Sequence, residues 1–450
     1  MGEVRSDACR FQNAKPRSLA AINVGLTGNL HCGGGLFAHA AKRPNSLTVS
    51  VPTAVTTKIL KSWRPRNSGI GFRANEVSGE GGAMAWKIAI DAMGGDKGPA
   101  PLIQGALLAA AESGSEIILV GDEHLLAAEM KIHTNGGLPF GIRHAPQVIE
   151  MQESPAAAFR KKKAASIRVA VEMVQADEAD AVISAGHTGA TLMAATLILK
   201  TLPGLDRAAI ATLLPTMQGH TILIDVGANV DCKPTHLYQF GIMGSAYATY
   251  VLQCERPRVG MLSIGEEDNK GNETTKEAFQ MLRKSSLNFV GNVEAKAVYR
   301  GCADVIVCDG FIGNIALKIS ESFAEMTEGF LKKAFMRDAR SKLGYLLLKP
   351  SLAHLKHQMD YAEYGGAPLL GVNGTCIIAH GASSAKAIKN AIRLAERLLT
   401  HQVNSHIQED LAANGDIQEL NPKKVSLWRH IRESIPFSRE RDDPEPEEPA

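Results

Sequence analysis

From residue 84 onward the chain alternates two apolar patterns. Short, nearly continuous runs of aliphatic and β-branched residues are followed by longer stretches in which apolar positions recur every three or four residues. The runs "WKIAIDAMGG", "SEIILVGD", "DAVISAG", "AAIATLLP", "HTILIDVG", "RVGMLSIG" and "ADVIVCDG" predict strands. Because they are continuous rather than alternating, both faces must be covered, which predicts a parallel sheet between layers of helices. The intervening "PAPLIQGALLAAAES", "DEHLLAAEMKI" and "TLMAATLIL" predict helices. So does "SPAAAFRKKKAASIRVAVEMVQA", where Ser154 stands as N-cap and Pro155 at the first helical position. The predicted fold class is α/β, a doubly wound and mostly parallel sheet in an αβα sandwich.

Three segments break this rhythm. Residues 1–83 have no persistent period and no acidic residue between Asp7 and Glu76, while Arg, Lys, Ser, Thr and Gly are frequent. That composition fits a transit peptide, a disordered extension, or upstream sequence preceding a true start at Met84. Residues 320–360 contain no strand pattern and predict a protruding helical pair, broken near Gly344 and Pro350. Residues 426–450 end in "RERDDPEPEEPA", an acidic, Pro-rich tail that cannot bury a core and is expected to be disordered. The catalytic domain is therefore expected over 84–425.

Composition removes several classes of function. With 45% hydrophobic and 21% charged residues the chain is globular. A formal charge of +2 and only 5% aromatic residues argue against a protein that coats nucleic acid or stacks bases. Seven cysteines without a Cys-x-x-Cys pair give neither a disulfide framework nor a zinc signature, so a reducing, cytoplasmic compartment is expected. No apolar run reaches the roughly 18 residues needed to span a bilayer, which leaves only peripheral membrane contact. His354, His357 and Asp360 share helical spacing, but a solvated helix face explains them and no metal is expected.

The candidate chemistry lies where strands end, since ligands of parallel sheets bind beyond the carboxyl ends of strands. Five of those ends are polar and glycine-containing: "DAMGGDKG" (91–98), "SAGHTGA" (184–190), "DVGANVDCKP" (225–234), "IGEEDNKGNE" (264–273) and "DGFIGN" (309–314). Glycine lets backbone amides approach a ligand and helix starts add positive partial charge, so five such turns converging on one edge predict an anion site. The first strand is followed by no Gly-x-Gly-x-x-Gly, and there is no Gly-Lys-Ser/Thr, so the anion is expected to be smaller than a nucleotide.

Read together with "MGSAYA", "NFVGNVE", "YGGAPLLGVNG" and "AHGASSAKAI", these motifs resemble, in order from Met84 to roughly residue 412, the bacterial phosphate acyltransferase of phospholipid synthesis. The resemblance implies phosphorolysis of a long-chain acyl thioester on acyl carrier protein, giving acyl phosphate for a downstream glycerol-3-phosphate acyltransferase. It also implies a fold similar to phosphate acetyltransferases and isopropylmalate dehydrogenases, a homodimer, no cofactor, and association with the inner face of the membrane. A phosphate acetyltransferase-like enzyme acting on acyl-coenzyme A, or a non-catalytic scaffold for acyl carrier protein, are the rival readings.

Phosphate is already an anionic nucleophile near neutral pH, so such an enzyme has to position it and stabilise an oxyanion. Lys270 is the expected cation and Asn314 the expected neutral donor. Asp91, Gly94, Gly95, Asp96, Gly186, His187, Thr188, Gly189, Gly227, Asn229, Asp231, Lys233 and Gly313 are expected around the substrate. Asp231 and Lys233 could instead pair and brace their loop. His187 departs from the Asn usual in the family, and Cys232 reads as structural. Arg160, Lys161, Lys162 and Lys163 suit docking of an acidic carrier protein, although a solvated helix face explains them too. Leu343, Leu346, Leu347 and Leu348, between Lys342 and Lys349, suit shallow insertion among anionic headgroups, or packing against a dimer partner.

Overall fold

In the computed structural model the described residues are 85–414, apart from 135, 136, 138 and 360 and from the side chains of 354–361. The 1–83 extension, the 426–450 tail and the side chains of His354, His357 and Asp360 therefore lie outside the described residues. The strands are β1 (Lys87–Asp91), β2 (Glu116–Gly121), β3 (Gly141–His144), β4 (Ala181–Ser184), β5 (Ala209–Thr216) and β6 (Gly219–Ile224). They continue with β7 (Arg258–Ser263), β8 (Asn288–Glu294), β9 (Val305–Val307), β10 (Ala367–Leu370) and β11 (Thr375–Ile378). All eleven form one sheet, ordered β3-β2-β1-β4-β11-β10-β5-β6-β9-β7-β8.

The helices are α1 (Ala100–Ala110), α2 (Glu123–His133), α3 (Pro155–Lys161), α4 (Ser166–Gln175), α5 (Thr188–Ala194), α6 (Pro234–Tyr250) and α7 (Glu273–Lys284). After them come α8 (Ala295–Val298), α9 (Gly310–Met336), α10 (Ala339–Met359), α11 (Ala385–Thr400) and α12 (Val403–Ala413). They cover both faces of the sheet, as the continuous apolar strands require. In β1, Ile88 and Ile90 point into one core with α1, α6 and α11, while Ala89 points into the other with α4 and α5. Each fully buried Ile contributes about 1.5–3 kcal/mol relative to its exposed state.

Strand direction divides the sheet. Neighbours from β3 to β11 run parallel, and so do those from β6 to β8. Between these blocks lie three antiparallel pairs, β11 with β10, β10 with β5, and β5 with β6. An odd number of reversals turns one block against the other. The carboxyl ends of β1 and β4 therefore lie at one edge of the sheet, called here the first edge, and those of β6, β7 and β9 at the opposite, second edge. The expectation that all five polar turns converge on one edge is corrected accordingly. Its cause is the β5–β6 hairpin around Met217 and Gln218: two buried apolar runs that the sequence pattern shows as parallel strands pair antiparallel.

The helical pair also differs from expectation. The first member starts at Gly310, and the break falls at Arg337–Asp338, where Asp338 accepts from the Ser341 amide at 2.9 Å and starts α10. Pro350 lies within α10, where it removes one backbone donor from a largely solvent-facing helix. The predicted helix from Ser154 is two helices, interrupted where Ala165 bridges to Gln147.

Candidate active site

The centre of the second edge is Asp225, the residue that follows β6. Its carboxylate is fully buried. One oxygen accepts from the amides of Ile210, Gly227 and Ala228 at 3.0, 3.1 and 3.0 Å. The other accepts from the Asn229 backbone amide at 2.7 Å and from its side-chain amide at 3.0 Å. Burial pushes the Asp225 pKa up, and these donors pull it back. Asn229 also donates from Nδ2 to the Ala208 carbonyl at 2.7 Å. Asn229 is thus a brace between the turn and the entry to β5.

The first turn of α9 lies directly on this loop. Asp309 caps it by accepting from Ile312 at 2.8 Å, and the Gly310 amide donates to the Asn229 carbonyl at 2.7 Å. A Cβ at Gly310 would meet Asn229 O and Asp225 Oδ2 at 2.7 Å, and one at Gly313 would lie 1.8 Å from Asp225 O. Those two glycines are required by close approach of backbones. Gly227, at φ +142°, faces Asn314, whose Cγ would sit 3.7 Å from an added Cβ. The Asn314 side chain is half-buried and makes no hydrogen bond among the described residues.

Beyond β7, the loop carrying Lys270 is tied from behind. The Glu267 carbonyl accepts from the Lys270 amide at 3.0 Å and from Asn292 Nδ2, in β8, at 2.7 Å. Lys270 folds its stem over Gly265, where an added Cβ would lie 3.1 Å from Lys270 Cγ. Its ammonium is exposed and has no ion pair among the described residues. Since β6, β9 and β7 are successive neighbours in the sheet, the Asp225, Asn314 and Lys270 turns form a contiguous row. Asp231 and Lys233 stand exposed in the first of them and make no ion pair among the described residues, so they do not brace one another. Burial raises the Cys232 thiol to about 12 and pushes Cys308 well up, so neither is a thiolate nucleophile at neutral pH.

The remaining predicted residues form a packed turn at the first edge. Asp91 accepts from the Ser184 hydroxyl at 2.7 Å; burial raises its pKa, and the hydroxyls of Ser166 and Ser184 and the Met93 amide lower it. A Cβ at Gly94 would lie 2.7 Å from the Gly186 backbone, and one at Gly95 3.2 Å from Leu102. The Asp96 amide donates to the Gly381 carbonyl at 2.9 Å. His187 caps α5, its Nδ1 accepting from Gly189 at 3.1 Å, which leaves only Nε2 to face a ligand. Thr188 is exposed as the first residue of that helix.

Of the basic run, Arg160, Lys161 and Lys163 are exposed, but Lys162 is engaged internally with the Val148 carbonyl at 2.6 Å and Glu153 at 2.5 Å. Leu343, Leu346, Leu347 and Leu348 are all exposed, Leu347 at 75%.

The comparisons with known proteins follow this geometry. A family model described as "Fatty acid synthesis protein" matches residues 86–406. The phosphate acyltransferase of Trichlorobacter lovleyi is 48% identical over 328 residues, covering 73% of this chain and 95% of that protein. That of Geobacter sulfurreducens is 48% identical over 325 residues, covering 72% and 94%. The chain belongs to the phosphate acyltransferase family. Its fold is shared with a phosphotransacetylase from Streptococcus pyogenes, at a TM-score of 0.50 and 18% identity over 70% of this chain and 94% of that one.

Within this family member, sequence reasoning missed three site residues. Asp225 was legible only as the charge closing an apolar run, a position that demands buried donors. His236, 4% exposed on α6, accepts the Lys233 amide at 3.2 Å through Nδ1, so that nitrogen is unavailable to Cys232 as a base. Gln239, 2% exposed one turn further on, stands out in "HLYQFGIMG" as an amide on an apolar helix face.

Proposed function

We propose that this enzyme, an acyltransferase, catalyses phosphorolysis of a long-chain acyl thioester carried on acyl carrier protein. A phosphate oxygen attacks the thioester carbonyl carbon to give a tetrahedral oxyanion. Collapse breaks the carbon–sulfur bond, releasing acyl phosphate and a carrier thiolate that takes up a proton. The observation that carries this reading is the row of turns beyond β6, β9 and β7, where the Asn314 amide and the Lys270 ammonium are both without partners among the described residues. Asp225 and the two glycines of α9 fix the first turn of the helix that carries Asn314, so that donor is held before charge develops. The chemistry needs no cofactor.

The same proposal extends to partners. Arg160, Lys161 and Lys163 present positive charge to an acidic carrier protein. The leucines of α10 touch an anionic membrane surface on the cytoplasmic side, where a glycerol-3-phosphate acyltransferase would consume the product. Phe311, Ile315, Ile319, Phe323, Met326 and Phe330 form an exposed apolar stripe along α9, fitting a homodimer contact. The rival reading is an enzyme acting on acyl-coenzyme A.

One assay tests both. The purified chain receives phosphate with either acyl carrier protein thioesters or coenzyme A thioesters, and acyl phosphate is trapped with hydroxylamine. Turnover on long-chain carrier thioesters, exceeding that on acetyl-coenzyme A, is expected; the reverse preference overturns the proposal.

A further inference from the structure

Arg207 lies in the loop that leads into β5, at the second edge and beside β6. It is exposed and has neither an ion pair nor a hydrogen bond among the described residues. An exposed arginine usually belongs to a mobile surface, yet the backbone on both sides of this one is fixed. Gln239, buried in α6, accepts from the Asp206 amide at 3.0 Å and donates to the Gly204 carbonyl at 3.1 Å. On the other side, the Ala208 carbonyl receives the Asn229 side chain at 2.7 Å. His236 Nε2 lies 3.7 Å from Asp206 Oδ2, and Thr235 reaches the same oxygen at 3.5 Å. Residues 204–208 are therefore held against α6 and the Asp225 turn, and only the arginine side chain is left free.

Its charge is felt at that turn. His236 is lowered first by burial, raised by Asp206, and lowered further by Lys233 and Arg207. For Cys232, burial, Asp225 and Asp309 raise the pKa, while Arg207 opposes them. Lys233 is likewise unpaired. Arg207 and Lys233 thus stand exposed beside the Asp225 turn with no ion pair among the described residues, and Arg207 does so on a pinned loop. A guanidinium matches two oxygens of a tetrahedral oxyanion at once.

We propose that Arg207 is the residue that binds the phosphate nucleophile, with Gln239 positioning its loop. This rests on the phosphorolysis reading and assigns the recognition of phosphate, as distinct from stabilisation of the oxyanion by Lys270 and Asn314.

The test is steady-state phosphorolysis by the full chain, varying phosphate and acyl carrier protein thioester separately. Arg207→Ala is expected to raise the KM for phosphate roughly tenfold or more, the worth of a lost charge-assisted bond. The KM for the thioester and the thermal midpoint should hold, because Arg207 has no partner within the fold. Arg207→Lys should recover part of the loss, and added guanidinium should restore turnover to Arg207→Ala. Gln239→Met should raise the phosphate KM as well, and adding Arg207→Ala to it should cost less than in the wild-type background. A phosphate KM unchanged in Arg207→Ala overturns the inference, and so does a rise confined to the thioester KM. Those outcomes leave the phosphorolysis reading standing, whereas a wild-type chain that forms no acyl phosphate removes it.

Discussion

At the scale of single residues, the site depends on atoms that are absent. Gly313 has no room for a methyl group, since its Cβ would sit 1.8 Å from the Asp225 carbonyl oxygen. Gly329, in the same helix, has nothing within 4 Å of an added Cβ. Gly313→Ala is therefore expected to destabilise the protein by about 1–3 kcal/mol or more as α9 is pushed off the turn, with turnover lost. Gly329→Ala should stabilise it by roughly 0.5–1 kcal/mol, the helix-propensity difference. Urea midpoints for both variants check the contrast, and equal shifts would contradict it. The motif "DGFIGN" showed that glycine matters here, but not why. The demand comes from a carbonyl 88 positions earlier in the chain, brought close by pairing of β6 with β9. In the same way, Asp225 was visible as a charge at a strand end, whereas its bond to the Ile210 amide exists only because β5 folds back on β6.

Lys270 is the residue on which turnover should depend most. Loss of one oxyanion donor costs about 2.7–4 kcal/mol of transition-state stabilisation. Lys270→Ala is expected to fold normally and lose at least about tenfold in turnover, read by hydroxylamine trapping. Near-normal turnover would remove it from the mechanism.

At the scale of elements, seven of the eleven strands among the described residues were legible, because buried strands read as continuous apolar runs, whereas the short or less apolar β3, β8, β10 and β11 were not. Strand directions were not legible. Two of the three antiparallel pairs depend on β10 and β11, two strands of four residues in a Gly-rich stretch whose pattern announces neither, and the third is the β5–β6 hairpin. One inter-strand link carries a pH signature. Arg258 at the start of β7 donates to Asp304, just before β9, from Nε at 3.0 Å and Nη2 at 2.9 Å. Burial alone would raise the Asp304 pKa, but the Arg258 bonds outweigh it and hold the carboxyl below its ordinary 3.8. A depressed folded value means that the stabilisation is full above the ordinary value and disappears as pH falls through the lower one. Asp304→Asn should thus be less stable than wild type at neutral pH, by about 1 kcal/mol for a partly exposed pair. The gap should close below about pH 4. A gap that does not narrow as the pH falls below about 4 would contradict this.

The long pair α9 and α10 was recognised by its lack of strands, but its start and its break were misplaced. Gly344 and Pro350 look like punctuation, yet the stop is made by Asp338 capping the next helix. With Leu346 and Leu348 exposed at 64% and 49%, changing both to Asp should release the protein from anionic vesicles without reducing activity on soluble substrate. Vesicle flotation reads the outcome, and undiminished binding would dispose of the membrane assignment.

At the scale of the whole molecule, one sheet carries two opposed edges, and the reversal at β5–β6 decides which turns can share a ligand. The glycines of the first edge are accounted for by close packing around Asp91, Gly94 and Gly186. Those of the second edge let α9 close against the Asp225 turn, beside which Asn314 and Lys270 have no partners among the described residues. No helix among the described residues is long and apolar enough to cross a membrane. The most direct test is a crystal structure with saturating orthophosphate. Phosphate is expected at the second edge beyond β6, β9 and β7, bound by Arg207 and facing the Asn314 amide and the Lys270 ammonium. Phosphate seated between Gly94 and Gly186 at the first edge, with those side chains empty, would contradict the account.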